Sequence, residues 1–147
     1  MSAEVGPVAM GVGCRRDCPP DALMALAMTT LAMAKVQSSQ ITLLATLAGR
    51  QHETAIASLA KAWHCPLIAL PAQALRDSEP AMSHASDTTR RIHGVPGVAE
   101  AAALAAIRQQ MGTPARLLVN RQQCAQATCA LAAVSYTHLT LPTIYSV

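Results

Sequence analysis

The stretch that most limits how this chain can fold is Gly11-Val12-Gly13-Cys14-Arg15-Arg16. An apolar run, Val8 to Met10, precedes it and reads as a strand. Pro19, Pro20 and Asp21 follow and read as the first turn of a helix. Proline is tolerated there because the first helical N–H groups have no intrahelical partner to lose. The two glycines permit a tight turn or a positive φ without a Cβ clash. Two arginines then stand between a strand end and a helix start, where backbone N–H groups also point outward. This arrangement predicts an anion site for carboxylates or phosphates.

The alternation continues down the chain. Short apolar runs predict strands over Val8–Val12, Ile41–Leu47, Pro66–Leu70, Arg116–Val119 and Ala127–Ala133. Helical patterns run from Pro19 to Lys35, from His52 to Trp63 and from Val98 to Gln110, with a short helical turn over Pro71–Arg76. In the first of these, Leu23, Leu26, Ala27, Thr30, Leu31 and Ala34 share one face. The second turns Ile56, Leu59, Ala60 and Trp63 inward. Gly94-Val-Pro-Gly97 opens the third. The pattern predicts an α/β fold, a three-layer α/β/α sandwich around a mainly parallel five-stranded sheet. Asn120 to Gln126 reads as a short loop, which lets the last two strands pair antiparallel and would make the sheet mixed. Asp77 to Arg91 reads as a long polar loop, and such loops in compact domains are often functional.

Residues 5–133 are expected to form one domain after a loose leader. From Val134 the composition changes. All thirty alanines and every Lys, Arg, Asp and Glu lie within residues 1–133, whereas both tyrosines, Tyr136 and Tyr145, lie beyond. The run from Ser135 to Thr143 looks like a translated sequencing adaptor. Residues 134–147 therefore read as a non-native tail and are set aside from the fold.

Hydrophobic residues make up 52% of the 147 and charged residues 13%, which supplies a core and excludes disorder. The net charge is +3, with nine Arg to two Lys; Phe is absent and Trp63 is the only Trp. Nucleic-acid binding would need a denser basic patch and aromatic platforms. The planar guanidinium fork suits carboxylates better, although a GC-rich genome also yields many Arg and Ala codons. Ala22 to Ala34, the longest apolar stretch, is too short to span a bilayer. No basic start followed by an apolar run marks a secretory signal. The five cysteines, an odd number, are expected to be reduced thiols in a cytoplasmic protein.

Other motifs are weaker. A dinucleotide fingerprint needs a third glycine where Arg16 stands, and no acidic residue closes the second strand. Glu53, in the first turn of its helix, suits either the helix dipole or a ligand. Glu100 has the capping-box spacing from Gly97. Cys14-x3-Cys18 and Cys124-x4-Cys129 lack zinc-knuckle spacing, and His52, His64, His84 and His93 show no ligand spacing, so neither a metal nor a cofactor is predicted. Cys14 is the best thiol candidate, since flanking arginines and a helix start lower a thiol pKa; the alternative is a buried, inert cysteine. No Ser-His-Asp arrangement can be read.

The hexapeptide, together with Leu44-Ala-Thr46, Glu53, Gly94-Val-Pro-Gly-Val-Ala-Glu-Ala-Ala-Ala-Leu104 and Leu117-Leu-Val119, resembles the cobalamin-biosynthesis CobE family, equivalent to the C-terminal domain of CbiG. The likeness runs from about residue 8 to residue 133. Ala48 and Arg50 stand where the family usually has Asp and Lys, and Asn120-Arg121 where it usually has Pro-Lys. Both Lys-to-Arg changes keep the cation. The resemblance implies action on corrin-ring intermediates, which carry acetate and propionate arms around an apolar ring. A cleft at the strand C-termini would then present Arg15, Arg16, Arg50 and Arg121 to those arms. The candidate substrate-binding set is Gly11, Gly13, Cys14, Arg15, Arg16, Arg50, Glu53, Gly94, Gly97, Glu100 and Arg121, with no catalytic residue assigned. Three functions follow. The chain is a binding or carrier domain for a precorrin. Alternatively, it contributes to ring-A lactone hydrolysis of cobalt-precorrin-5A with acetaldehyde release, as full CbiG does. In the third, it is an interaction module for an acidic partner. It lacks the N-terminal portion of full CbiG, which favours binding over catalysis. Partners implied are the tetrapyrrole and other corrin-pathway enzymes, with no nucleic acid and no membrane.

Overall fold

β1 (Val8–Cys14) is the middle strand of a five-stranded sheet in the order β3-β2-β1-β5-β4. The computed structural model describes residues 7–77 and 98–134. Within them lie β2 (Ile41–Leu47), β3 (Leu67–Leu70), β4 (Ala115–Gln123) and β5 (Ala127–Val134). The helices are α1 (Pro20–Ala34), α2 (Thr54–Trp63), α3 (Ala72–Arg76) and α4 (Val98–Met111). β1 pairs parallel with β2, and β2 with β3; β5 pairs antiparallel with both β1 and β4. The sheet is therefore mixed, with parallel and antiparallel pairs in equal number. Helical crossovers make the first three strands parallel, and a tight hairpin at residues 124–126 makes the last two antiparallel.

Helices α1 and α2 cover one face and α3 and α4 the other. Val8, Met10 and Val12 of β1 pack toward Leu23, Leu31, Ile56 and Leu59. Ala9 belongs to the opposite core, with Leu75, Leu104 and Ile107. Trp63 packs half-buried against the first core. Both α1 and α2 end in a left-handed residue, Lys35 (φ 57°) and His64 (φ 53°). In each case the next N–H reaches back to a carbonyl of the last turn, Val36 to Leu31 at 3.0 Å and Cys65 to Ala60 at 3.2 Å. None of the described helices is long and apolar enough to cross a membrane.

Three details differ from the sequence reading. First, Gly11 and Gly13 make no turn. Both lie inside β1, and the positive-φ glycines among the described residues are Gly49 and Gly112. The chain reverses at Asp17 instead, with φ 65°. Gly11 is there for closeness. A Cβ on it would run into the carbonyl oxygen of Ala99 and lie 2.7 Å from the Ala103 nitrogen. α4 can lie this tight because it meets the strand with small side chains such as Ala99 and Ala103, and nine consecutive residues from Ala99 to Ile107 are buried. Second, β4 continues to Gln123 rather than ending at Val119. It is an edge strand, and its polar residues Asn120, Arg121, Gln122 and Gln123 hide the period that marks a buried strand. Third, Val134, assigned to the tail by composition, closes β5 and is buried. Gly94, Gly97, the predicted loop after Asp77 and residues 135–147 lie outside the described residues.

Candidate functional site

A cleft of about 590 Å³ opens at the C-terminal ends of β1 and β2. Its wall runs from Gly13, Cys14 and Arg15 through Thr46, Leu47 and Arg50 to Val98 at the start of α4. The β4–β5 hairpin closes the other side with Arg121, Gln123 and Thr128 among its lining residues. This is the strand edge where open α/β sheets bind ligands. Among the described residues, three guanidinium side chains line it and no Asp or Glu does.

Each arginine is positioned by a separate backbone device. Arg15 is exposed, but its N–H donates to the Gln126 carbonyl at 2.9 Å, which ties the end of β1 to the hairpin. Arg50 follows the turn after β2. Its Nη2 donates to the Cys14 carbonyl at 2.6 Å and pairs with Glu53 Oε2 at 3.4 Å. Arg121 sits where the β4–β5 register shifts, between Val119 and Gln122. Such a bulge re-aims side chains and frees a backbone N–H from the ladder. The Arg121 N–H is taken by Glu100 Oε2 at 2.7 Å. Glu100 is only 1% exposed, so its carboxylate holds the arginine strand from within α4.

Of the predicted residues, Gly13, Cys14, Arg15, Arg50 and Arg121 therefore meet at one cleft. Gly11 lies beneath α4. Arg16 is exposed and outside the lining. Glu53 is the N-cap residue of α2, with no side-chain cap bond, and acts on the cleft through Arg50. Glu100 acts through Arg121 in the same indirect way. The start of α1 contributes nothing to the lining. Pro19 and Pro20 lack N–H groups there and Asp21 adds a negative charge, so the expected helix-terminus anion site is not built.

The thiol expectation also changes. Burial pushes Cys14 up to about 11, Cys18 and Glu53 push the same way, and Arg50 only partly opposes them. Arg15 and Arg16 are exposed, so water screens their charge. Cys14 is a protonated thiol at neutral pH. Burial likewise raises Cys18, Cys65 and Cys129. Sequence reasoning missed Thr46 and Thr128 as lining residues. A polar residue at the C-terminal end of a buried parallel strand was the available signal for Thr46.

The comparisons agree with this architecture. The family model described as cobalamin synthesis G C-terminus matches residues 8–132. Protein CobE of Sinorhizobium sp. is 34% identical over 123 residues, covering 84% of this chain and 77% of that protein. A crystal structure of CobE, described as a protein from the cobalamin (vitamin B12) biosynthetic pathway, superposes with a TM-score of 0.82 at 33% identity. That match covers 87% of this chain and 90% of the other. The cobalamin biosynthesis protein chiG from Agrobacterium tumefaciens gives a TM-score of 0.66 at 26% identity, over 87% of this chain and 98% of that one. With a family model over nearly all its described strands and helices, this chain belongs to the cobalamin-biosynthesis CobE/CbiG C-terminal family.

Proposed function

We propose that the cleft binds a corrin-ring intermediate of cobalamin biosynthesis by its carboxylate arms, and that the chain acts as a binding or carrier domain. The observation that carries this reading is the convergence of Arg15, Arg50 and Arg121 on one cleft whose lining, among the described residues, has no carboxylate. Planar guanidinium groups match two carboxylate oxygens at once. Several of them spaced around a mouth suit a ligand with several acid arms better than a single small anion. Gly13, Leu47, Val98 and Ala127 add apolar wall for the ring edge. Cys14, one of two thiols in the lining with Cys124, stays protonated at neutral pH, which favours binding over thiol chemistry at that position.

The test is a visible-absorption titration with cobyrinic acid, a corrin with its acetate and propionate arms free. Wild-type protein is expected to shift the spectrum saturably. Arg15→Ala combined with Arg121→Ala should weaken binding more than about tenfold, since each charge-assisted hydrogen bond is worth about 1.5–3 kcal/mol. Undiminished binding by the double variant would contradict the arginine grip. Acetaldehyde release from cobalt-precorrin-5A by this chain alone would replace the carrier reading with a hydrolytic one.

A further inference from the structure

Thr46 is fully buried, at 0% exposure, near the C-terminal end of β2, yet it lines the cleft. It therefore lies at the floor, below the arginine rim. Its Oγ1 is buried and has no hydrogen-bond partner among the described residues. Folded proteins rarely leave a buried hydroxyl unpaired, because the group has lost its water and gained nothing in return. Thr113 Oγ1 also has no partner among the described residues, but it sits in the connection from α4 to β4, outside the lining of this cleft. An orphaned hydroxyl alone is thus no sign of a ligand in this molecule. An orphaned hydroxyl at the bottom of a cation-lined cleft is a different matter.

We infer that Thr46 Oγ1 is a floor subsite that donates a hydrogen bond to one carboxylate arm of the bound ligand, an arm that reaches past the guanidinium rim. The inference rests on the cleft being the binding site. A hydroxyl suits this place better than another cation. The Arg50 guanidinium in the same lining is already joined to the Cys14 carbonyl and to Glu53. An O–H group donates to a carboxylate oxygen at short range without burying a further charge. Thr46 would then distinguish ligands by arm length, because an arm too short to reach the floor leaves the hydroxyl unpaired.

Two substitutions separate this role from a structural one. Thr46→Val keeps the shape and removes the hydroxyl; Thr46→Ser keeps the hydroxyl. Both are titrated with cobyrinic acid beside wild type and the Arg15/Arg121 double variant, and their urea midpoints are measured without ligand. The expected result is a loss of about tenfold or more in affinity for Thr46→Val and near wild-type affinity for Thr46→Ser. The unliganded urea midpoint of Thr46→Val should be unchanged or higher, since no bond is lost in the free protein. Equal binding by Thr46→Val and wild type overturns the floor subsite while leaving the arginine grip intact. A lowered midpoint for Thr46→Val also overturns it, by showing that the hydroxyl serves the fold. If Thr46→Val loses affinity while the double arginine variant does not, the floor stands and the rim falls. Wild-type protein that does not bind cobyrinic acid overturns both.

Discussion

The two faces of the sheet are built on different rules. Toward α1 and α2, β1 presents Val8, Met10 and Val12, and the layers are kept apart by large side chains such as Leu23, Leu31 and Ile56. Toward α4 it presents Ala9 and Gly11, and α4 answers with Ala99 and Ala103, so backbone meets backbone. The difference shows that one motif can carry two jobs. Gly11 sets the distance between helix and sheet, while Gly13, two residues on, lines the cleft. The tight face also brings Glu100 of α4 within reach of the Arg121 N–H. Close packing on one side of the sheet thereby places a cation on the cleft.

The contrast can be broken most sharply by adding one carbon to the tight face. Gly11→Ala should cost about 3 kcal/mol or more, the upper end of overpacking penalties, because the atoms met are helix backbone and cannot rotate away. Urea denaturation measures it, and a cost below about 1 kcal/mol would mean that α4 stands off farther than described. Removing one carbon from the other face gives the counterpart. Ile56 is fully buried in the core that holds Met10, Leu23 and Leu31, and Ile56→Val should cost about 0.5–1.5 kcal/mol. If the two substitutions cost the same, the faces are not built differently.

The smallest effect concerns the thiols of the large-residue face. Cys14 keeps its proton up to about 11 in the folded chain, against an ordinary value of 9.0. Its folded pKa is raised, so its contribution to stability is complete below about pH 9 and is lost as pH rises through about 11. At pH 8 an alkylating reagent should label exposed Cys124 well before Cys14. Equal labelling rates, followed by mass spectrometry, would show that the end of this face is open to solvent.

Much of this fold was legible because strongly apolar elements announce themselves. β2 runs over Ile41–Leu47 as its pattern predicts, and α1 stops at Lys35 as expected. What remained hidden had physical causes. The polar half of β4 is edge strand, where exposure removes the period. The roles of Gly11 and Glu100 depend on how close α4 lies, a tertiary distance that no local pattern encodes. Arg15 and Arg16 are neighbours in sequence, and only the tie between Arg15 and Gln126 marks which of them serves the cleft. Thr46 is visible only once an unpaired hydroxyl and a cleft are seen together.

That neighbouring pair supplies the most direct test of the guanidinium cleft. Arg15→Ala and Arg16→Ala remove the same charge one residue apart, so any general loss of positive field is matched. Titration of both with cobyrinic acid should show several-fold weaker binding for Arg15→Ala and wild-type binding for Arg16→Ala. Equal losses in the two variants would contradict the cleft, leaving only a diffuse attraction between a basic surface and an acidic ligand.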